Sequence, residues 1–544
     1  MKSTHLRTSL LIVLAAAPSG ALAQQTGVAL PFEPCALLAG SGPAGVTGSA
    51  EELRRLAELG GDMHVRSMTV RRASDPGAPG DCPEHAAAPL FESGPVAIEL
   101  VPLRVGTWVN GGYPDDRNNG FVWAGRGVST AITGGVAAHV GPVSAGFIPG
   151  LAWQQNSDFE IVPRSSPGFP VYRNPFYSGI DYPQRMGEES FVEADWAGQS
   201  FLRVDAWGLA AGISHENLLV GPAIRNPIVL SATAPGFTHL FASTSRPLDL
   251  WIAELDLELV LGRVEESEHF DSVSTNDVSH LAIWSFSVSP RGLDGLEVGV
   301  ARSYMFRPDD QDALFDFGGL EGFFSLGSDS NLPGNELAAL FGRWVFPEVG
   351  AEVYAEWARN DRFSGVTDDF IPEPDHSQAY LFGIQKVTEV GPGAIRVEAE
   401  LNHLQEKQET RHGRSPPVYY THERVRQGYT NRGQILGAGI GPGADAQFIG
   451  VDWMDWWGYA GVFVERVRRN DASNAAIAAR LDWPYEHDTE LTGGVRGLFL
   501  WNGLSAAGSL GYSHRWDRDF LEDASSLRLT LEVSAWPALL EGIR

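Results

Sequence analysis

Cysteine is nearly absent: the 544 residues carry two, Cys35 and Cys82. Both stand in the N-terminal region, so neither a zinc cluster nor a disulfide framework can organise the bulk of the chain. In an exported protein a single Cys35–Cys82 bridge is permitted, and their spacing leaves the bridged and reduced states both open. Basic residues are scarce too. Forty Lys and Arg stand against 68 Asp and Glu, a formal charge of −28, which lacks the basic footprint that nucleic-acid binding needs. Beyond the N-terminal segment no run of about 18 apolar residues occurs, which excludes a membrane-spanning helix. Any membrane protein built from this chain must therefore be a closed barrel, because open backbone cannot be satisfied in lipid. Tryptophan is missing from the first 107 residues; all sixteen lie at Trp108 or later, so the N-terminal region differs in kind from the rest.

Residues 1–23 read as an export signal. Lys2 and Arg7 form the positive start, Leu10 to Ala17 the apolar core, and Ala21-Leu22-Ala23 the small-residue cleavage site. Cleavage leaves Gln24 first and moves the charge to −30, by loss of Lys2 and Arg7 from −28. Residues 24–92 read as a small helical periplasmic or plug region. Ser49 to Glu52 form a capping box, Leu53, Leu56, Ala57 and Leu59 share one helical face, and Gly60-Gly61 ends the helix.

From 93 to 544 the pattern is strand after strand. Trp251, Ala253, Leu255, Leu257, Leu259 and Leu261 alternate with Glu254, Asp256 and Glu258. Ile395, Val397, Ala399 and Leu401 alternate with Arg396, Glu398, Glu400 and Asn402, and Val353 and Trp357 with Glu352, Tyr354 and Glu356. One face is greasy and the other polar, as in a barrel stave with lipid outside and water inside. Short turns at His139–Pro142, Ala206–Gly208 and Pro347–Gly350 alternate with long polar connections over 155–198, 305–336, 359–377 and 404–429. A hairpin with one short turn and one long loop takes roughly 50 residues, so about 450 residues predict an all-β, antiparallel transmembrane barrel of about 18 strands. Trp108, Trp153, Trp207, Trp344, Trp357 and Trp501 fall near strand ends, where an aromatic girdle belongs.

A central block and four others carry a resemblance. The first runs from Asn118 to Phe159 and begins NNGFVWAGRG. The central one holds HENLLVGPAIRNP, from His215, and APGFTHLFASTSRP, from Ala234. AEVYAEWARND and PDHSQAYLFGIQK follow, from Ala351 and Pro374, and YYTHERVRQGYTNRGQILGAGIGPGAD closes the set from Tyr419. In this order they resemble the Wzi family of capsule assembly proteins. The resemblance implies an outer-membrane barrel with an N-terminal helical part on the periplasmic side. It also implies a lectin-like role in holding capsular polysaccharide, without catalysis.

Candidate ligand-binding residues follow from chemistry. Glu216, Asn217, Arg225, Asn226, His239, Arg246 and Arg263 cluster in and after the central block, and such groups can bind sugar hydroxyls or acidic glycans. Bracing the lumen against each other is the competing role, because a wide barrel needs polar filling. Tyr177 and Tyr420, with Tyr172, Phe176, Tyr182, Tyr419 and Tyr429 beside them, supply rings that stack on sugars or pack a loop. No cofactor and no metal are expected. Gly437 to Gly443 only mimic a dinucleotide loop, His215-Glu216 lacks the second histidine of a zinc helix, and no G-x-S-x-G elbow occurs. The expected partners are surface polysaccharide and outer-membrane lipid, not nucleic acid, with the protein a monomer. A porin-like channel is the alternative, and an outer-membrane hydrolase a more distant one.

Overall fold

The computed structural model describes residues 30–31, 49–75, 90–163, 170–271, 273, 276–307, 334–360, 378–404, 419–470, 487–501 and 504–535. The export signal, Cys35, Cys82 and Trp536 lie outside these residues.

Eighteen strands close into one antiparallel barrel. They are β1 (Val96–Asn110), β2 (Gly127–Val140), β3 (Val143–Phe147 continued by Gly150–Gln154), β4 (Phe191–Asp195 continued by Phe201–Ala206), β5 (Leu209–Ser214) and β6 (His239–Thr244). Then come β7 (Ala253–Glu265), β8 (Val278–Pro290), β9 (Leu296–Phe306), β10 (Asn335–Phe346), β11 (Ala351–Asn360) and β12 (Gln378–Val390). The ring is completed by β13 (Gly393–His403), β14 (Asp445–Asp455), β15 (Gly458–Arg468), β16 (Thr489–Trp501), β17 (Leu504–Arg518) and β18 (Glu522–Ala535). Each strand pairs with its neighbours in sequence, and β1 pairs with β18 from Leu103↔Ala535 to Asn110↔Arg528. That last pairing removes both sheet edges, the condition for a sheet to stand in lipid.

Two irregularities have a local cause. The β1–β2 register shifts between Val101 and Arg104, where Pro102 cannot donate a ladder hydrogen bond. β3 breaks at Ile148-Pro149 for the same reason, and Ile148 there makes a parallel bridge to Gly198.

The faces follow the alternation read from the sequence. On β7, Leu257 and Leu259 point outward while Glu258 and Val260 are buried inside. On β13, Val397 and Leu401 are outward and Arg396, Glu398, Glu400 and Asn402 inward. An apolar outer surface over a charged interior inverts the soluble pattern, and lipid is the solvent that makes it stable. The short turns sit at one rim, with Trp207, Trp251, Trp456 and Trp501 exposed there; Trp207 is 98% exposed. This rim has the composition of a membrane interface. Two connections differ from expectation. The one after β3 ends at Ser190, since Phe191–Asp195 joins the sheet, and the one after β13 runs on to 444, beyond Tyr429.

The N-terminal helix α1 (Ser49–Gly60) is the element expected from the capping box, and Gly61, at φ +78°, leaves it in the left-handed region. Its apolar face enters the turn end of the barrel. Leu53, Leu56 and Leu59 pack on Val345, Val387, Met454 and Leu498, all inward residues near that rim.

Candidate functional site

The described lumen is occupied by a column of the chain's own segments. At the turn end stands the N-terminal segment, held by buried and partly buried ion pairs to the barrel wall. Arg55 meets Glu352 at 3.0 Å, Glu58 meets Arg343 at 2.5 Å, Glu52 meets Arg396 at 2.6 Å, and Asp75 meets Arg203 at 2.7 Å. Burial pushes the Asp75 carboxyl up, but Arg72, Arg66 and Arg203 outweigh it and hold it at about 2. Glu51 is set the same way, with Arg71 its strongest partner, and also lies at about 2.

Above this segment lies 215–238, the connection between β5 and β6. Backbone bonds between Arg71 and Leu219, at 2.8 and 3.0 Å, join the two layers. Two carboxylates from the wall clamp this connection by its main chain. Glu356 accepts from the amides of Ala223 and Ile228, both at 3.0 Å. Glu400 accepts from Ile224 at 2.9 Å, Arg225 at 3.1 Å, Asn226 at 2.9 Å and the Tyr354 hydroxyl at 3.0 Å. A buried backbone without secondary structure needs such acceptors, so VGPAIRNP is a segment whose hydrogen bonds are supplied by the barrel. A third layer, 419–444, rests on the second. The Tyr420 hydroxyl donates to Ile228 O at 2.8 Å, and Ser231 N donates to Leu436 O at 2.7 Å.

The residues singled out from the sequence are distributed through this column. Glu216 is buried and accepts from Ser74 N at 2.8 Å, Ser74 Oγ at 2.7 Å and Ser214 Oγ at 2.7 Å. Burial raises its pKa against the pull of those hydroxyl bonds. Asn217 Nδ2 donates to Ala234 O at 2.8 Å, and Asn226 O accepts from Asn402 at 3.0 Å. The Arg225 guanidinium lies 3.6 Å from the centre of the Phe448 ring, and His239 Nδ1 meets Phe237 O at 2.8 Å. Tyr177 sets its hydroxyl 3.4 Å from Pro442 O, and Tyr420 also accepts from Ala438 N at 2.9 Å. Two residues are not part of the column. Arg246 is exposed in the connection at the turn rim, and Arg263 stands on the outer face of β7, 2.9 Å from Glu265, because its odd register follows Leu257, Leu259 and Leu261.

A concave feature lies at the opposite, loop end. A cleft with about 820 Å³ of free space, mouth included, is bounded by the connections 111–126 and 155–190, by Gly439–Pro442 of the third layer, and by the ends of β15 and β17. Its rings are Tyr113, Trp123, Phe159, Phe176 and Tyr182. Its charged groups include Asp115, Asp116, Arg117, Arg469, Arg515 and Arg518. Tyr113 is 1% exposed, with the guanidiniums of Arg528, Arg515 and Arg518 5.1, 5.7 and 5.9 Å from its ring centre. Burial, reinforced by the neighbouring Asp115, pushes the Asp116 carboxyl up to about 6. Phe176 and Tyr182 were legible as loop aromatics. Tyr113, Asp116 and the arginines were not, because five segments far apart in the sequence bring them together. Among the described residues no cluster of three or more His, Cys, Asp or Glu is arranged to hold a metal.

Fold and site together define an outer-membrane β-barrel whose lumen is packed with its own chain and whose concave surface opens at the loop end. The model of the capsule assembly protein Wzi family matches residues 126–525, and the chain belongs to that family. Among solved structures, Escherichia coli Wzi, described as an outer membrane protein involved in group 1 capsule assembly and a carbohydrate-binding β-barrel, superposes with a TM-score of 0.53 at 12% identity. The match covers 79% of this chain and 83% of that one. Pseudomonas aeruginosa OccK2 (TM-score 0.41, 10% identity) and Acinetobacter baumannii OccAB2 (0.39, 9%) each match 80% of this chain and 97% of their own. No curated protein matches at the sequence level. The localisation is the outer membrane, which puts the short-turn rim at the periplasm and the cleft at the cell surface.

Proposed function

We propose that this protein binds capsular or other surface polysaccharide at the outer face of the barrel and helps retain it on the cell. The observation that carries the reading is the ring-lined polar cleft at the loop end of a barrel packed along its axis. Aromatic faces stack on the C–H faces of sugars, and the charged groups between them bond to hydroxyls. Family membership and the carbohydrate-binding description of the Escherichia coli protein support it. The N-terminal region, 24–92, acts as a periplasmic plug, and the barrel works as a monomer in outer-membrane lipid. Glu216, Asn217, Asn226, His239 and Tyr420 brace the column. Tyr177 supports the cleft floor, and Arg225 joins the second layer to the wall through Phe448. Binding rather than catalysis is the role assigned, and the packed column argues against the channel alternative.

A deletion strain scored for cell-bound against released polysaccharide tests this. Retention should fall on deletion and return on complementation. Unchanged retention, together with no binding of the cell's own polysaccharide by the purified protein, would sink the proposal.

A further inference from the structure

Among the described residues, two polar atoms at the cleft have no protein partner. The Tyr113 hydroxyl and Asp116 Oδ2 make no hydrogen bond, although their side chains are 1% and 6% exposed. The other Asp116 oxygen is only weakly engaged, 3.5 Å from the Tyr182 hydroxyl. An unpaired buried polar group is costly, and a fold keeps such groups at low cost only where something else pairs with them.

The surrounding cations are already committed. Arg117 is bound to Asp115 at 2.8 Å and Glu465 at 3.0 Å. Arg515 grips Asp488 through Nε and Nη2, both at 2.5 Å, and reaches Asp519 at 2.8 Å. Arg518 is bound to Asp519 at 2.6 Å, and Arg469 lies 3.4 Å from Glu490. An anionic sugar would meet guanidiniums whose charge is already matched by carboxylates, and would approach the Asp116 carboxyl, which no ion pair among the described residues neutralises. A neutral ring meets neither obstacle.

We infer that the cleft is a subsite for a neutral, hydroxyl-bearing sugar ring, with Asp116 and Tyr113 hydrogen-bonding its hydroxyls beside the rings of Phe176 and Tyr182. This rests on the polysaccharide-binding reading above and narrows it to the sugar class. With its pKa near 6, Asp116 can accept from one hydroxyl and, when protonated, donate to another.

The test uses the full-length protein in detergent micelles and two probes: polysaccharide purified from the surface of the bacterium that makes it, and the same polymer after carboxyl reduction, which converts uronic acids to neutral sugars. The native protein should bind the reduced polymer at least as tightly as the intact one. Tyr113→Phe and Asp116→Asn, which keep shape and remove the hydroxyl or the charge, should each weaken binding about tenfold. Heat-modifiable migration on gels checks that both barrels are folded. Binding that falls tenfold on carboxyl reduction, or folded variants that bind like the native protein, overturns the neutral subsite and leaves the polysaccharide-binding reading standing. Failure of the native protein to bind either polymer overturns both.

Discussion

Glu400 is the most exposed point of the packed-lumen interpretation to experiment. Its carboxylate is the acceptor for three consecutive amides, Ile224, Arg225 and Asn226. Glu400 is itself 3% exposed. Glu400→Ala leaves those amides in a low-dielectric interior without their acceptor. At about 1–3 kcal/mol for each unsatisfied donor, three donors give a local loss of at least about 3 kcal/mol. One decade in an equilibrium is about 1.4 kcal/mol, so amide exchange across 222–228 should quicken by roughly 100-fold. Glu400→Gln keeps one acceptor oxygen and turns an amino group toward donors, so it should fall between native and Ala. Hydrogen exchange read by mass spectrometry in detergent micelles measures this, with Leu401→Ala, one residue along and facing lipid, as the control. If a folded Glu400→Ala barrel exchanges within threefold of native across 222–228, the clamp is not what holds the segment and the hydrogen-bond reasoning is refuted.

Two further outcomes follow from the same geometry. Leu259 sits mid-strand on the outer face of β7, so Leu259→Arg should cost about 2–4 kcal/mol in urea titrations of the barrel refolded in lipid vesicles, and a neutral result would contradict a lipid-facing position. The two ends of the column should respond to pH with opposite signs. Glu51 and Asp75, held at about 2, stabilise the docked N-terminal segment above the usual carboxylate pKa of about 4, and that contribution is lost as pH falls toward 2. Asp116, and Asp181 of the connection 155–190, which accepts from Ser267 N at 2.6 Å, are raised to about 6 mainly by burial; they favour the docked outer loops at acid pH and lose that contribution as pH rises through 6. Hydroxyl-radical footprinting should therefore show Met68 protected from pH 8 to about 4 and increasingly labelled below it, while Tyr182 labelling declines between pH 7 and 4. Equal Met68 labelling at pH 7 and pH 2 would count against the ion-pair account.

The barrel was legible because its rule is local. Whether a strand residue meets lipid or lumen depends on its parity, so Leu257 and Leu259 can be separated from Glu258 with no knowledge of the neighbouring strands. The helix was legible for a similar reason, since a capping box and one apolar stripe lie within a dozen residues. What escaped is non-local. Nothing near Glu356 or Glu400 announces that their partners are amides more than a hundred residues away, and the sequence around Arg225 left ligand binding and bracing both open because its charge is local while its hydrogen-bond partners are not. The cleft escaped for the same reason, although Tyr113-Pro-Asp-Asp116, an aromatic beside paired carboxylates in the first outer connection, is a signal that composition alone offers.

The acidity of the chain also changes meaning once the column is in place. A charge of −28 and rows of inward Glu suggest a cation-selective pore when read along single strands. In the folded barrel, Glu352 is shared between Arg55 and Arg343, Glu258 is taken by Arg72, and Glu356 and Glu400 face backbone amides. These carboxylates are committed to holding the chain's own segments, so among the described residues they are not a row of free charge for ions to follow. Replacing buried ion pairs with apolar residues is often neutral for stability, so their use here is better understood as positional. Each pair accepts one partner and leaves a charge stranded for any other docking, which fixes where the N-terminal segment sits. A fixed column in turn gives the outer loops a rigid floor, and a rigid floor is what lets a cleft assembled from five segments keep Tyr113 and Asp116 in place for a ligand.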